Sequence, residues 1–241
     1  MAEQQTTPTE NIQAQPQAQA DFSLEALNSV KDSFEKNKTI ILGVLGAVFG
    51  LSLLAYLYFG VYKKNQAFAA GEAMFQAQFY FEQDSFNTAL LGAPAAAGQE
   101  EIMGFAAIID NYSGTPSGNL AQYYAGVCYL NLGKFQEAID HLSQYSGQDA
   151  LTQSMAYGAI GDAYSEMDKF DDAMSFYQKA ANYQPNPATS PYFLRKAGLL
   201  NENLKKPEEA KKLYEQIIKD FPSAAERTGV QKDLIRVSGT Y

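Results

Sequence analysis

One uncharged segment limits what this chain can fold into more than any other feature. Residues 39–62 read TIILGVLGAVFGLSLLAYLYFGVY, 24 positions without a charged side chain. As an α-helix the segment would be about 36 Å long, enough to cross the roughly 30 Å of hydrocarbon in a bilayer. Its thirteen Leu, Ile, Val and Phe residues favour insertion by about 4 to 8 kcal/mol on the translocon scale. The sequence therefore predicts a single transmembrane helix over residues 39–62.

The residues that precede this span divide into two parts. Residues 1–20 are rich in Gln, Thr, Pro and Ala and predict a disordered tail, because they offer almost nothing to bury. Residues 21–38 place apolar side chains at helical spacing and predict an amphipathic juxtamembrane helix. Such a helix could rest in lipid headgroups or dock on a partner.

The lysines that flank the span do not orient it. Lys31, Lys36 and Lys38 lie on the N-terminal side, and Lys63 and Lys64 lie on the other. The positive-inside rule compares such counts, and a difference of one is too small to decide which side is cytoplasmic.

Small residues form a stripe along the predicted span. They recur at i, i+3, i+4 and i+7 and include one G-x-x-x-G motif; the residues are Gly43, Gly46, Ala47 and Gly50. A small face lets another membrane helix approach closely, so these residues are candidates for membrane-helix packing. Glycine is also tolerated in solitary spans, and that alternative stays open.

The sequence after the predicted span contains a pattern that occurs three times. Residues 125–142, 160–177 and 197–214 align with one another, and their glycines, Gly126, Gly161 and Gly198, lie 35 and 37 residues apart. A period near 34 with small, aromatic and alanine positions resembles the tetratricopeptide signature, in which each unit is a helical hairpin. The resemblance implies three repeats over residues 119–222. The predicted fold class is all-α, a single transmembrane helix followed by a tetratricopeptide-repeat α-solenoid.

The tetratricopeptide resemblance also implies a groove, because the first helices of such repeats line a concave face. Its outward positions would be Tyr123, Val127 and Leu130, then Met155, Asp162 and Glu166, then Tyr192, Arg195 and Leu199. An aromatic and apolar groove suits extended or amphipathic peptides. The alternative for each residue is that it packs on a neighbouring helix.

Two regions flank the repeats. Residues 63–112 contain two helix-forming stretches separated by GAPAAAG and predict a stalk with a degenerate helical hairpin. Residues 223–241 begin with Ser223 and Glu226 in the S-x-x-E pattern, which predicts a capping box and a C-terminal capping helix.

The sequence contains no recognisable catalytic, metal or cofactor site. His141 is the one histidine and Cys128 the one cysteine, so a histidine-based triad or metal site would lack its usual partners. No nucleotide-binding glycine motif occurs. The part from residue 65 onward carries 13 Lys and Arg against 21 Asp and Glu, a net charge of −8, which disfavours nucleic acid as a partner. We therefore predict no enzyme, no cofactor and no small-molecule substrate.

The order of the parts resembles the YfgM family, ancillary subunits of the bacterial Sec translocon. The resemblance rests on a short polar leader, on VKDSFEKNK directly before one span, with Phe34, Asn37 and Lys38, and on a small acidic repeat domain. It implies the bacterial inner membrane, a cytoplasmic N-terminus and periplasmic repeats. The implied partners are the translocon, a membrane-anchored periplasmic prolyl isomerase and emerging polypeptides. The alternative is a structural scaffold subunit of another cell-envelope assembly, in secretion or division, without client binding.

Overall fold

The computed structural model describes the backbone of residues 16–95, 101–147 and 149–239, and the side chains from residue 26 onward within these ranges. The described residues form helices and no β-strand, with one isolated bridge between Ala93 and Ile102. The chain divides into two compact units, Met1–Tyr62 and Lys63–Tyr241. The all-α prediction is confirmed.

The first unit is one long helix. Helix α1 runs over Pro16–Tyr56 and is followed by a π-helical turn, Leu57–Tyr62. The most apolar window in this region has none of its residues buried in the described structure, and the helix is long and apolar enough to cross a membrane. Its exposed apolar side chains need either lipid or protein to cover them.

Two predicted boundaries in this unit differ from the structure. The helix begins at Pro16 rather than at residue 21, which is consistent with proline at a first helical position and with the helix propensity of the Gln and Ala that follow. The rest of the predicted tail, residues 1–15, lies outside the described residues. The predicted juxtamembrane and transmembrane helices are one continuous helix, because no proline interrupts the sequence at their junction.

The second unit is built on three helical hairpins. Their bounds are α5 Pro116–Asn131 with α6 Phe135–Gln144, α7 Ala150–Glu166 with α8 Phe170–Asn182, and α9 Ser190–Asn203 with α10 Pro207–Asp220. The two helices of each hairpin pack together, and α6 packs on α7 as α8 packs on α9. The hairpins therefore stack in chain order.

Glycines allow the two helices of a hairpin to approach closely. A Cβ placed on Gly161 would lie 2.7 Å from Cδ1 of Tyr177, and one placed on Gly198 would overlap the ring of Tyr214. The ring of the second helix thus occupies the space that a side chain on the first would need. This contact explains why the repeating pattern keeps glycine there.

The hairpin turns share one backbone conformation. Gly133, Asp168 and Lys205 have φ of 72°, 57° and 58°, and they lie 35 and 37 residues apart, which is the spacing of the repeat. In each turn the next residue donates its N–H to the carbonyl five residues earlier. Asp168 and Lys205 hold a left-handed conformation that non-glycine residues rarely adopt.

The region before the hairpins contains one helix more than predicted. Helices α2 Lys63–Glu82, α3 Phe86–Leu91 and α4 Phe105–Tyr112 replace the predicted two-helix hairpin. Helices α2, α3 and α4 all pack against α5. They cover the first hairpin on the side away from the second.

The C-terminal segment differs from the predicted single capping helix. It forms α11 Pro222–Thr228 and α12 Val230–Ser238, divided at Gly229 with φ of 71°. Ser223 does not cap α11, since the N-cap is Phe221 and Pro222 occupies the first helical turn. The predicted capping box is therefore wrong. Helix α12 packs on α10.

Candidate functional site

A cleft of about 620 Å³ is lined by residues from all three hairpins. Its lining comes from the C-terminal halves of α5 and α7, the turn after α5, and one residue each of α6, α8 and α9. The lining residues are Leu130, Asn131, Gly133, Phe135, Asp162, Ser165, Glu166, Tyr177 and Lys196. Three of them, Leu130, Asp162 and Glu166, are predicted groove residues.

A charged cluster lies in this cleft. The ammonium of Lys196 is 2.5 Å from Oδ1 of Asp162, and the hydroxyl of Tyr177 donates to the same oxygen at 2.7 Å. Burial, and next the neighbouring carboxylate of Asp162, raise the pKa of Tyr177 above its ordinary value. The phenol therefore remains a hydrogen-bond donor, and Asp162 connects α7 to both α8 and α9.

The predicted groove residues of the first repeat are mostly packed. Tyr123, Val127 and Leu130 are partly buried against the core between α6 and α7. The ring of Tyr123 lies 5.5 Å from that of Tyr145. Burial first, and the adjacent Tyr124 second, raise the pKa of Tyr123 to about 12. Tyr123 and Val127 do not line the cleft, so Leu130 is the residue of this trio that remains a groove candidate.

Among the predicted groove residues of the second and third repeats, some side chains are exposed to solvent, and Arg195 is engaged in an ion pair. Met155, Glu166 and Tyr192 are exposed, and Leu199 is partly exposed. Arg195 is occupied, because its Nε donates to Oδ2 of Asp233 at 2.6 Å. The expectation that Arg195 presents its charge to a groove is not supported by this contact.

Arg195 belongs instead to a network that fastens α12 to α9 and α10. Asp233 is 4% exposed and accepts from Arg195 and, at 2.9 Å, from Arg236. Arg236 also binds Glu202 through two nitrogens, at 2.8 and 2.7 Å, and the hydroxyl of Tyr214 donates to Glu202. Burial raises the pKa of Asp233, but the hydrogen bonds from the two arginines outweigh it and hold that pKa below its ordinary value. Both carboxylates are ionised at neutral pH.

The comparisons with known families agree with this geometry. Residues 120–148, 156–187 and 192–224 match family models described as tetratricopeptide repeat. Each matched segment overlaps one of the three hairpins. The chain contains tetratricopeptide repeats. No curated protein matches the chain.

The tetratricopeptide cleft includes residues that the sequence alone did not single out. Lys196 was missed because the groove prediction assigned the outward position of α9 to its neighbour, Arg195, and one residue turns a helix by about 100°. One signal was available: Asp162 and Lys196 lie 34 residues apart, close to one repeat period. Opposite charges about one repeat apart lie on the first helices of adjacent hairpins, three residues short here of the 37-residue step between the second and third repeats.

The one cysteine and the one histidine, Cys128 and His141, lie outside the cleft lining and pack within the repeats. Cys128 is fully buried, and burial raises its pKa to about 12, so it stays a thiol. His141 stacks on Tyr129, and its Nδ1 lies 2.7 Å from Oε1 of Gln122. Burial lowers the pKa of His141. Within the described ranges no three His, Cys, Asp or Glu side chains are grouped to hold a metal.

The role of the small residues of α1 in packing against another membrane helix stays a prediction. A Cβ added at Gly43, Gly46 or Gly50 would meet nothing within 4 Å, and Ala47 is exposed. Space for a close helix neighbour is therefore present on the described part of this helix.

Proposed function

We propose that the chain is a membrane-anchored adaptor of the bacterial Sec translocon that binds partner proteins or emerging polypeptides through the cleft and catalyses no reaction. The observation that carries the proposal is the 620 Å³ cleft, which draws its lining from all three tetratricopeptide repeats. Repeats of this kind mediate protein interactions, and stacked first helices offer a continuous surface to an extended chain.

The apolar helix supports the anchoring part of the proposal. A span over residues 39–62 confines the repeats to the neighbourhood of a membrane, which raises their effective concentration at any partner in the same membrane. The small residues Gly43, Gly46, Ala47 and Gly50 would pack on a partner's span. No additional contact in the repeats is needed for this enrichment.

The resemblance to the YfgM family supports the placement of the repeats on the periplasmic side of the inner membrane. That placement requires a cytoplasmic N-terminus, which accords with the small lysine excess before the span. A membrane-anchored periplasmic prolyl isomerase and the translocon are the partners that this resemblance suggests.

Protease accessibility combined with crosslinking tests this placement. In cells whose outer envelope is permeabilised, added protease should degrade the repeats and leave a protected N-terminal fragment. Crosslinking before gentle detergent extraction should recover the chain with translocon subunits. Protection of the repeats, or recovery without any translocon subunit, would contradict the proposal.

A scaffold without client binding is the second candidate, and α2 favours it. Phe68, Phe75 and Phe79 are 70%, 73% and 53% exposed, and their spacing places them along one side of α2. A folded partner that covers this side would serve a structural role. Recovery of one stoichiometric folded partner, with no weak association of unfolded peptides, would favour this candidate.

A further inference from the structure

The cleft already holds one alkylammonium group. The Nζ of Lys196 binds Oδ1 of Asp162 and lies 5.5 and 5.6 Å from the ring centroids of Tyr177 and Tyr192. A carboxylate beside aromatic rings is the environment that favours organic cations. The Lys196 side chain thus shows which ligand chemistry this part of the cleft accommodates.

The lining has a second carboxylate, Glu166, in addition to Asp162. Glu166 is exposed one helical turn beyond Asp162 on α7, and the ion pairs found among the described residues do not include it. Lys134, which follows the lining residue Gly133, lies over the ring of Tyr129 instead. Asp162 and Glu166 against Lys196 leave the lining with a net charge of −1.

The first hairpin contributes two apolar side chains to the cleft lining. They are Leu130 and Phe135, and each is partly exposed. A polypeptide lying in the cleft could therefore place one side chain on the carboxylates and an adjacent one on Leu130 and Phe135. Extended chains alternate side chains in this way.

We infer that the cleft selects polypeptide segments that carry a lysine or arginine next to an apolar residue, with Glu166 as the carboxylate that receives the cation. Lys196 determines the strength of this selection, because it occupies Asp162 and competes with an incoming cation. The inference rests on the proposed polypeptide-binding function of the cleft and states which polypeptides it prefers.

Fluorescence anisotropy with the full chain in detergent micelles tests this preference. The probe is a labelled, apolar peptide with a central lysine, and the matched probe carries acetyl-lysine, which has a similar shape and no charge. The lysine peptide should bind about threefold to tenfold more tightly at low ionic strength, as expected for a partly exposed ion pair. Added salt should reduce the difference.

Two variants assign the preference to named residues. Glu166→Gln should remove most of the difference between the peptides, whereas Glu208→Gln, which removes an exposed charge outside the cleft lining, should keep it. Lys196→Met should tighten binding of the lysine peptide about threefold or more, and the exposed Lys212→Met is its matched control. Glu166 is exposed, so its variant reports on binding even if Lys196→Met alters folding.

The outcomes separate this inference from the function on which it rests. Equal binding of both peptides, unchanged by Glu166→Gln, would overturn the inference and leave polypeptide binding intact. Binding of neither peptide to the unaltered chain would overturn the proposed function and the inference with it.

Discussion

Replacing Val48, Leu51 and Leu54 together by arginine should release the chain from membranes. The three side chains are exposed on α1, so the change disturbs no packing in the described structure. On the translocon scale the three substitutions cost about 8 to 12 kcal/mol, against about 4 to 8 kcal/mol that favours the unaltered segment. Insertion becomes unfavourable because charge has no hydration in hydrocarbon.

Alkaline extraction of isolated membranes measures this effect. The unaltered chain should stay in the membrane pellet, and the triple-arginine chain should move to the supernatant. The matched control replaces the same residues by alanine and loses at most about 2 kcal/mol of favourable transfer, so it should stay in the pellet. If the triple-arginine chain remained in the pellet as well, α1 would not be a span.

Replacing Phe193 by alanine should destabilise the repeat domain by about 3 to 5 kcal/mol. Phe193 is buried at the start of α9, and its ring occupies the space in which a Cβ on Gly158 would lie. It joins the second and third repeats through a shared core that includes Tyr177 and Tyr214. Removal of the ring would leave a cavity between the second and third repeats and weaken the packing by which each stabilises the other.

Urea unfolding followed by near-ultraviolet circular dichroism measures this loss. The chain has 16 tyrosines and no tryptophan, so the tyrosine signal reports on the repeats, where most of these rings are packed. Tyr192 is the matched control, since it adjoins Phe193 but is half exposed. Tyr192→Ala should cost about 1 kcal/mol or less. Equal unfolding midpoints for the two variants would show that the Phe193 contact does not couple the repeats.

The main elements of the fold could be predicted from the sequence because each depends on a local and repeated pattern. A run without charge identifies an apolar helix whatever surrounds it. The glycines at 126, 161 and 198 recur because each faces a bulky side chain of the second helix in its hairpin. Such patterns follow from packing rules that act within one repeat.

The details of the site depend on contacts between distant residues, and the sequence did not reveal them. Arg195 and Lys196 are adjacent, yet Arg195 binds Asp233 of α12 and Lys196 binds Asp162 of α7. The choice is set by the rotation of α9, which a repeat alignment fixes only to about one residue. The C-terminal break has a similar cause, since Pro222 and Gly229 overrode the capping pattern of Ser223 and Glu226.

The left-handed backbone conformation of the hairpin turns could not be predicted from residue type. Gly133 is a residue expected at positive φ, but Asp168 and Lys205 hold the equivalent conformation without being glycine. This geometry closes the turn within each hairpin, where the next residue donates its N–H to the carbonyl five residues earlier. The cost of a left-handed non-glycine residue is of the order of 1 kcal/mol. A turn of this kind can be located from repeat spacing but not from the residue type alone.

Site-specific photocrosslinking in cells tests most directly whether the cleft binds polypeptide. A photoreactive amino acid replaces Glu166 in the cleft or, as control, Ser175, which is exposed on α8 outside the cleft lining. The account predicts polypeptide adducts from position 166 and few from position 175. Adducts from position 175 alone, or none from position 166, would contradict it.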